Sequence, residues 1–329
     1  CIRDRNLGDE FGRVLSKRYT MFYHDVTGMI LAKRPNKLLR TGAYSAYNYA
    51  PLEVTDPAFV SDHKMDDRVM LYITHSWEHN HPIMERSTPP NLYFDDSIEL
   101  WKRLYSNFGV YEYYRKLAMN ELPFPIIHSI RCDIPYYYNN GFSLFYTQYS
   151  FEDIGTYGLN YYIAAKLIWD VNADVDKLLE DFYTKFYGKA AFHMKSYHKT
   201  LEKAAIRSNL ELSPKYYGAF LDLFTVDVLK KCTMHLKKAE EAAQDNDLWL
   251  KRVELSELSL NYTKKVIDYL KEIRSLFDID NGLIWRTLTE EEVANVEENA
   301  EEIAEILSES GPYQTIVDTS YSQRLRQTG

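Results

Sequence analysis

The sequence predicts an α/β fold, the C-terminal half of a (β/α)8 TIM barrel followed by an all-α helical domain. Three observations predict it. Up to about residue 157, strand-like apolar runs alternate with helical patterns, the texture of a parallel sheet with crossover helices. Beyond about residue 188 almost everything reads as helix. Four strands are too few for a complete barrel, and no glycine-rich phosphate loop follows any of them, which disfavours a doubly wound nucleotide-binding sheet.

The two textures meet in Gly158–Gly188. Tyr161, Ala164, Ala165, Leu167 and Ile168 sit at helical spacing, so the first part is a helix ending near Trp169. Asp170 to Asp174 breaks the pattern, and Asp174 suits an N-cap. Leu178, Leu179, Phe182, Phe186 and Tyr187 form the apolar face of the next helix, with Gly188 placed to cap its C-terminus. This seam divides the chain into a partial barrel over 1–170 (strands five to eight), a helical domain over 171–310 and a tail over 311–329.

Upstream of the seam, a helical pattern runs from Val14 to Lys33 and stops at Arg34-Pro35-Asn36. Leu38–Tyr47 reads as a strand entering a tyrosine-rich loop, and Pro51–Asp67 as an irregular connection. Arg68–Trp77 is the clearest strand. Ser97–Phe108 reads as a helix, Gly109–Tyr114 as a strand, Ile126–Tyr138 as a helix interrupted by Pro135, and Phe142–Gln148 as the last strand. Downstream, helices are expected over Ala190–Ser208, Pro214–Ala243, Leu248–Phe277 and Glu290–Leu307.

Composition narrows the function. With 329 residues, 45% of them hydrophobic, the chain can bury a sizeable core. A net charge of −9 argues against a nucleic-acid partner, since phosphate binding wants a basic face. No apolar run is long enough to span a bilayer as a helix, so no transmembrane segment is expected. Three cysteines, Cys1, Cys132 and Cys232, form neither a metal knuckle nor a disulfide framework. The 28 tyrosines have a plain explanation, packing at a wet surface with hydroxyls outward, and a sharper one, stacking on the C–H faces of sugar rings.

In a (β/α)8 barrel the chemistry lies at the C-terminal strand ends. Those ends carry Tyr44 and Tyr47 on the first strand and His75, Trp77, Glu78, His79 and His81 on the second. The third carries Glu112 among tyrosines, and the fourth ends at Gln148. Glu112 is the catalytic candidate: burial inside an apolar strand would suit a carboxyl to general acid work, although it could equally make a structural hydrogen bond. Tyr44, Tyr47, His75, Glu78 and Gln148 are candidate binders of sugar hydroxyls, with Trp77 as a stacking platform or a core residue. The spacing of His75, His79 and His81 does not match a metalloprotease helix, so no metal is expected, and no cofactor motif is present.

The stretches LSKRYTMFYHDV (Leu15–Val26), RTGAYSAY (Arg40–Tyr47), NHPI (Asn80–Ile83) and above all Gly158–Ala191 resemble the DUF4838 barrel proteins of the glycosyl-hydrolase clan. Some of these are glycoside hydrolase family 163 endo-β-N-acetylglucosaminidases. The resemblance implies a (β/α)8 barrel with a helical domain, hydrolysis of a β-linked N-acetylhexosamine-containing glycan, and export from a glycan-degrading bacterium. It also implies that Cys1 ends a cysteine-rich segment, that the first half of the barrel lies upstream, and that the fragment alone is inactive. A glycosidase needs two carboxylates, or one together with the substrate's acetamido group. Glu78 is the partner available to Glu112 here, unless that partner also lies upstream. Two alternatives stand beside the enzyme: a non-catalytic glycan-binding protein on the same scaffold, and a helical protein-interaction module over 189–310.

Overall fold

The computed structural model describes residues 8–75, 80–114, 122–148, 154–208 and 218–276, together with residue 289 and six helical positions between 291 and 302. Helix α1 (Gly8–Lys33) leads into β1 (Leu39–Ala43), α2 (Pro57–His63), β2 (Val69–Thr74), α3 (Pro89–Trp101), β3 (Asn107–Glu112), α4 (Ile127–Asn139) and β4 (Phe142–Thr147). The four strands are parallel and ordered β1-β2-β3-β4. Parallel crossovers are right-handed, so a sheet that always steps the same way carries its crossover helices on one side.

Alternation along the strands separates the two sides. In register, Ala43 meets Ile73, Thr74 meets Tyr111, Tyr111 meets Tyr146 and Glu112 meets Thr147. Thr41, Ala43, Val69, Leu71, Ile73, Phe108, Val110 and Glu112 are buried on one side. They join a core with Phe94, Ile98 and Trp101 of α3 and Tyr136 and Tyr137 of α4. Thr41 accordingly spends its hydroxyl on Met70 O and on the Tyr105 hydroxyl, both at 3.2 Å. The other side presents Arg40, Tyr72, Tyr111, Leu144 and Tyr146, which are half-buried or exposed. Gly109 lies there because a Cβ would sit 2.7 Å from the Tyr72 ring.

Several elements differ from the sequence expectation for local reasons. The connection at 51–67 contains α2, started by Asp56, whose Oδ1 accepts from the Ala58 amide at 2.9 Å, and by Pro57 in the first turn. Helix α3 begins at Pro89 rather than Ser97, with prolines opening the helix, and it ends at Trp101, which leaves Asn107 and Phe108 to β3. Helix α1 buries Ser16, Thr20, Thr27 and Leu31 and exposes Phe22 and Met29, so its apolar residues do not mark its packed face. Pro135 interrupts nothing: α4 runs through it to Asn139.

After α5 (Ile154–Trp169) come α6 (Val175–Tyr187), α7 (Ala191–Arg207), α8 (Gly218–Leu223), α9 (Val226–Ala243) and α10 (Asp247–Leu276). The seam forms as its sequence indicates. Asp174 Oδ1 accepts from the Asp176 and Lys177 amides at 3.1 Å, and Gly188 closes α6 with φ +52°. Trp249 packs against Gly188 where any side chain would collide. The helix expected over 214–243 is two helices, because Thr225 caps a new start by accepting from the Val228 amide; Pro214 lies outside the described residues. Within the 290–307 helix, the described positions are helical.

The chain forms two compact units, one of residues 1–113, 129–148 and 167–171, the other of residues 114–128, 149–166 and 172–329. In the second, Met194, Tyr197, Leu201 and Ala205 of α7 pack with Cys232, Leu236 and Ala239 of α9. Arg252 lays its guanidinium 3.8 Å over the Phe186 ring and donates to Phe186 O at 2.6 Å. His198 lies among the rings of Tyr183, Tyr187 and Tyr197. No helix among the described residues is long and apolar enough to cross a membrane.

Candidate functional site

The strand ends of the β/α unit hold a buried polar network. Glu112 closes β3 and shares the helix-packed side of the sheet with Phe108 and Val110. It has no exposed surface, and neither has His75, one residue beyond β2, nor Asn91 on α3. Burying these groups would be costly without partners, and each has them. Glu112 Oε1 lies 2.9 Å from His75 Nδ1 and accepts from the Tyr137 hydroxyl of α4, while Oε2 accepts from the Tyr113 amide at 3.0 Å. Tyr137 Oη is also 3.0 Å from His75 Nδ1. The imidazole packs on Phe94 with ring centres 4.4 Å apart.

Hydrogen-bond chemistry fixes part of the proton inventory. Asn91 Nδ2 donates to the carbonyls of His81 and Pro82 at 2.8 and 3.1 Å, which turns its Oδ1 toward His75 Nε2 at 3.0 Å. An amide oxygen only accepts, so Nε2 carries a hydrogen. The 2.9 Å bond between Nδ1 and Glu112 Oε1 needs one more proton. The pair is therefore imidazolium with carboxylate or imidazole with carboxylic acid, neutral overall in both forms, as burial demands.

Around it, described residues beyond β1 and β2 are hydrogen-bonded to their surroundings. Asn48 Nδ2 donates to Thr74 O at 2.9 Å, and Asn48 O accepts from Trp101 Nε1 at 3.0 Å. The Ala50 amide donates to Ser97 Oγ at 3.0 Å. Beyond β2, Ser129 Oγ donates to Asn80 O at 3.1 Å, and the Ile83 amide donates to buried Asp133 Oδ1 at 2.8 Å.

The opposite side of the sheet is aromatic. Tyr111 and Tyr146, cross-strand partners, have ring centres 4.8 Å apart, and Tyr111 and Tyr113 are 5.1 Å apart. The Tyr113 and Tyr44 hydroxyls are hydrogen-bonded; burial first, and then this bond, push the Tyr113 phenol upward. Tyr47 stacks on Tyr19 of α1 at 4.1 Å. Burial, with Tyr19 and Tyr44 nearby, raises the Tyr47 phenol as well.

Of the residues singled out from sequence, His75 and Glu112 are in direct contact. Gln148 follows β4, half-buried, with its amide donating to Glu112 O at 3.4 Å. Tyr44, 48% exposed, follows β1 and joins the aromatic side through Tyr113, and Tyr47 lies in the turn beyond it. Trp77, Glu78 and His79 lie outside the described residues. His81 is buried with Nδ1 3.3 Å from Glu85 Oε2. Among the described residues no three His, Cys, Asp or Glu side chains gather as a metal site would require. Sequence reasoning missed Asn91 and Tyr137. A signal for Tyr137 existed: Ile130, Asp133, Ile134 and Tyr137 form a helical stripe, and all four are buried. Asn91 carries no such signal, since its role rests on carbonyls ten and nine residues away.

A singly wound parallel α/β unit with a buried carboxylate–histidine pair at its strand ends, joined in one chain to a helical unit, is the class of protein that this fold and site define. The chain belongs to the family described as Domain of unknown function (DUF4838), whose model matches residues 1–199. No curated protein and no solved structure matches the chain.

Proposed function

We propose that the β/α unit is the C-terminal half of a (β/α)8 barrel and that the protein is a glycoside hydrolase acting on β-linked N-acetylhexosamine-containing glycans by carboxylate acid/base chemistry. The observation that carries the reading is the sheet itself. Among the described residues its order never reverses, its crossovers lie on one side, and the residues of the other side are half-buried or exposed, as the lining of a barrel would be before closure. The mouth of that barrel is the tyrosine-rich edge formed by Tyr44, Tyr111 and Tyr146.

Glu112 has two roles open to it in such an enzyme. As acid/base it would have to meet the glycosidic oxygen. As a positioning residue it would hold His75 just beyond the end of β2. Zero exposure, three described partners and a place on the helix-packed side favour the second role; the carboxylate for the chemistry is then the other candidate of the sequence, Glu78, which lies outside the described residues. Assay of the complete gene product on a β-linked N-acetylglucosamine glycan tests this. The expected result is hydrolysis that Glu78→Gln abolishes. Loss of turnover in Glu112→Gln with unchanged thermal stability would make Glu112 the acid/base. Glycan binding with no turnover in the unmodified protein would select a non-catalytic glycan-binding protein on the same scaffold.

A further inference from the structure

We propose that the C-terminal ends of β1, β3 and β4, on the open side of the sheet, form a stacking subsite for an uncharged β-linked N-acetylhexosamine ring, with Tyr146 and Tyr44 as its exposed platforms and Tyr111 as the support between them. The proposal rests on the carbohydrate function above and identifies the side chains that hold the sugar.

Two observations carry it. The first is aromatic exposure. Tyr146 is 50% exposed and Tyr44 48%, whereas Tyr105, Tyr114, Tyr157 and Tyr197 are fully buried. The exposed rings are also held in place. Tyr146 leans on its cross-strand partner Tyr111 at 4.8 Å with 41° between planes, and Tyr44 is fastened by the Tyr113 hydroxyl. A ring fixed before the ligand arrives loses little conformational freedom on binding. Each offers an apolar face and a hydroxyl, which suits a pyranose with C–H groups on its faces and hydroxyls at its rim.

The second is charge. The chain holds 48 acidic residues, yet the strand positions directed to this side include no carboxylate: Arg40, Tyr72, Thr74, Tyr111, Leu144 and Tyr146. The one cation, Arg40, already lies 4.8 Å over the Tyr72 ring. A sulfated or uronic-acid polysaccharide would need several basic groups in fork or cluster geometry. A cationic ligand would need carboxylates. A neutral ring needs neither.

Calorimetric titration of the full chain with the β-1,4-linked trimer of N-acetylglucosamine tests the subsite, with near-UV circular dichroism following the tyrosines. Saturable binding is expected, with a change in the tyrosine band. Tyr146→Ala and Tyr44→Ala should each weaken it about tenfold, as the loss of one stacking platform would. Tyr146→Phe keeps the ring and should stay within about twofold. Leu144→Ala, also exposed on β4, controls for a general effect on the strand and should bind as the parent does. Three results would overturn the proposal: no saturable binding, Tyr146→Ala binding like the parent, or tighter binding of a sulfated oligosaccharide. Binding by the chain without turnover by the complete gene product leaves the subsite standing and removes the hydrolase. Turnover with an unaltered KM in Tyr146→Ala does the reverse.

Discussion

Tyr111 and Glu112 are neighbours on β3 and face opposite sides of one sheet. The side bearing Glu112 is closed, and the polar groups of its network are matched: Glu112 to His75, Tyr137 and the Tyr113 amide, His75 to Asn91, Thr41 to Tyr105. The side bearing Tyr111 leaves ring faces exposed, at Tyr44 and Tyr146 above all. Buried hydrogen bonds are expensive to break, and exposed aromatic rings are cheap to remove. The difference separates residues that hold the fold from residues free to meet a ligand, although both sets stand at the same strand ends.

The largest test of that division is Glu112→Ala. It strands His75 and Tyr137 in the core, and each buried polar group left without its partner costs about 1–3 kcal/mol. Urea unfolding should register that loss, and a change below about 0.5 kcal/mol would erase the distinction between the two sides.

The helical unit extends the comparison to a titrating group. Burial holds the His198 imidazole down at about 4, against an ordinary 6.5. A histidine kept neutral in the fold takes up its proton on unfolding first, so the unfolded chain binds more protons between these values. Stability is full above about pH 6.5 and falls as pH drops toward 4, by up to about 3 kcal/mol. His198→Phe should flatten the profile of unfolding free energy against pH in that window.

Tyr137→Phe is a smaller perturbation, removing one hydroxyl from the covered side, and should cost about 1–2 kcal/mol in thermal unfolding. Tyr146→Ala is the mirror experiment on the open side. Its stability should stay within about 0.5 kcal/mol of the parent while glycan binding falls. If it unfolds as readily as Tyr137→Phe, the open side is structural after all.

Local signals carried the sequence a long way. The four strands, α4 apart from its uninterrupted run through Pro135, and the seam from Asp174 to Gly188 follow from spacing, caps and turn signals that act within a few residues. DUF4838 membership was also legible there, through the seam. The side on which each candidate residue lies was harder. Strands of a parallel sheet read as continuous apolar runs, so Val110, Tyr111 and Glu112 look alike until the helices declare one side covered. The network was harder still. Asn91, Glu112 and Tyr137 meet His75 across 16 to 62 residues of chain, and no local pattern encodes such meetings. In helix α1, only Leu31 of the buried residues Ser16, Thr20, Thr27 and Leu31 is apolar, so hydropathy does not mark its packed face.

The strand order has a consequence for handling the protein. Among the described residues β1 and β4 each have a single neighbour, so each leaves a row of backbone donors and acceptors without a strand beside it. Outer strands of this kind template pairing between molecules, and β4 adds exposed Leu144 and Tyr146 to the invitation. Light scattering of the isolated chain should therefore rise with concentration. A lysine in place of Leu144 is the substitution most suited to keeping the chain dispersed.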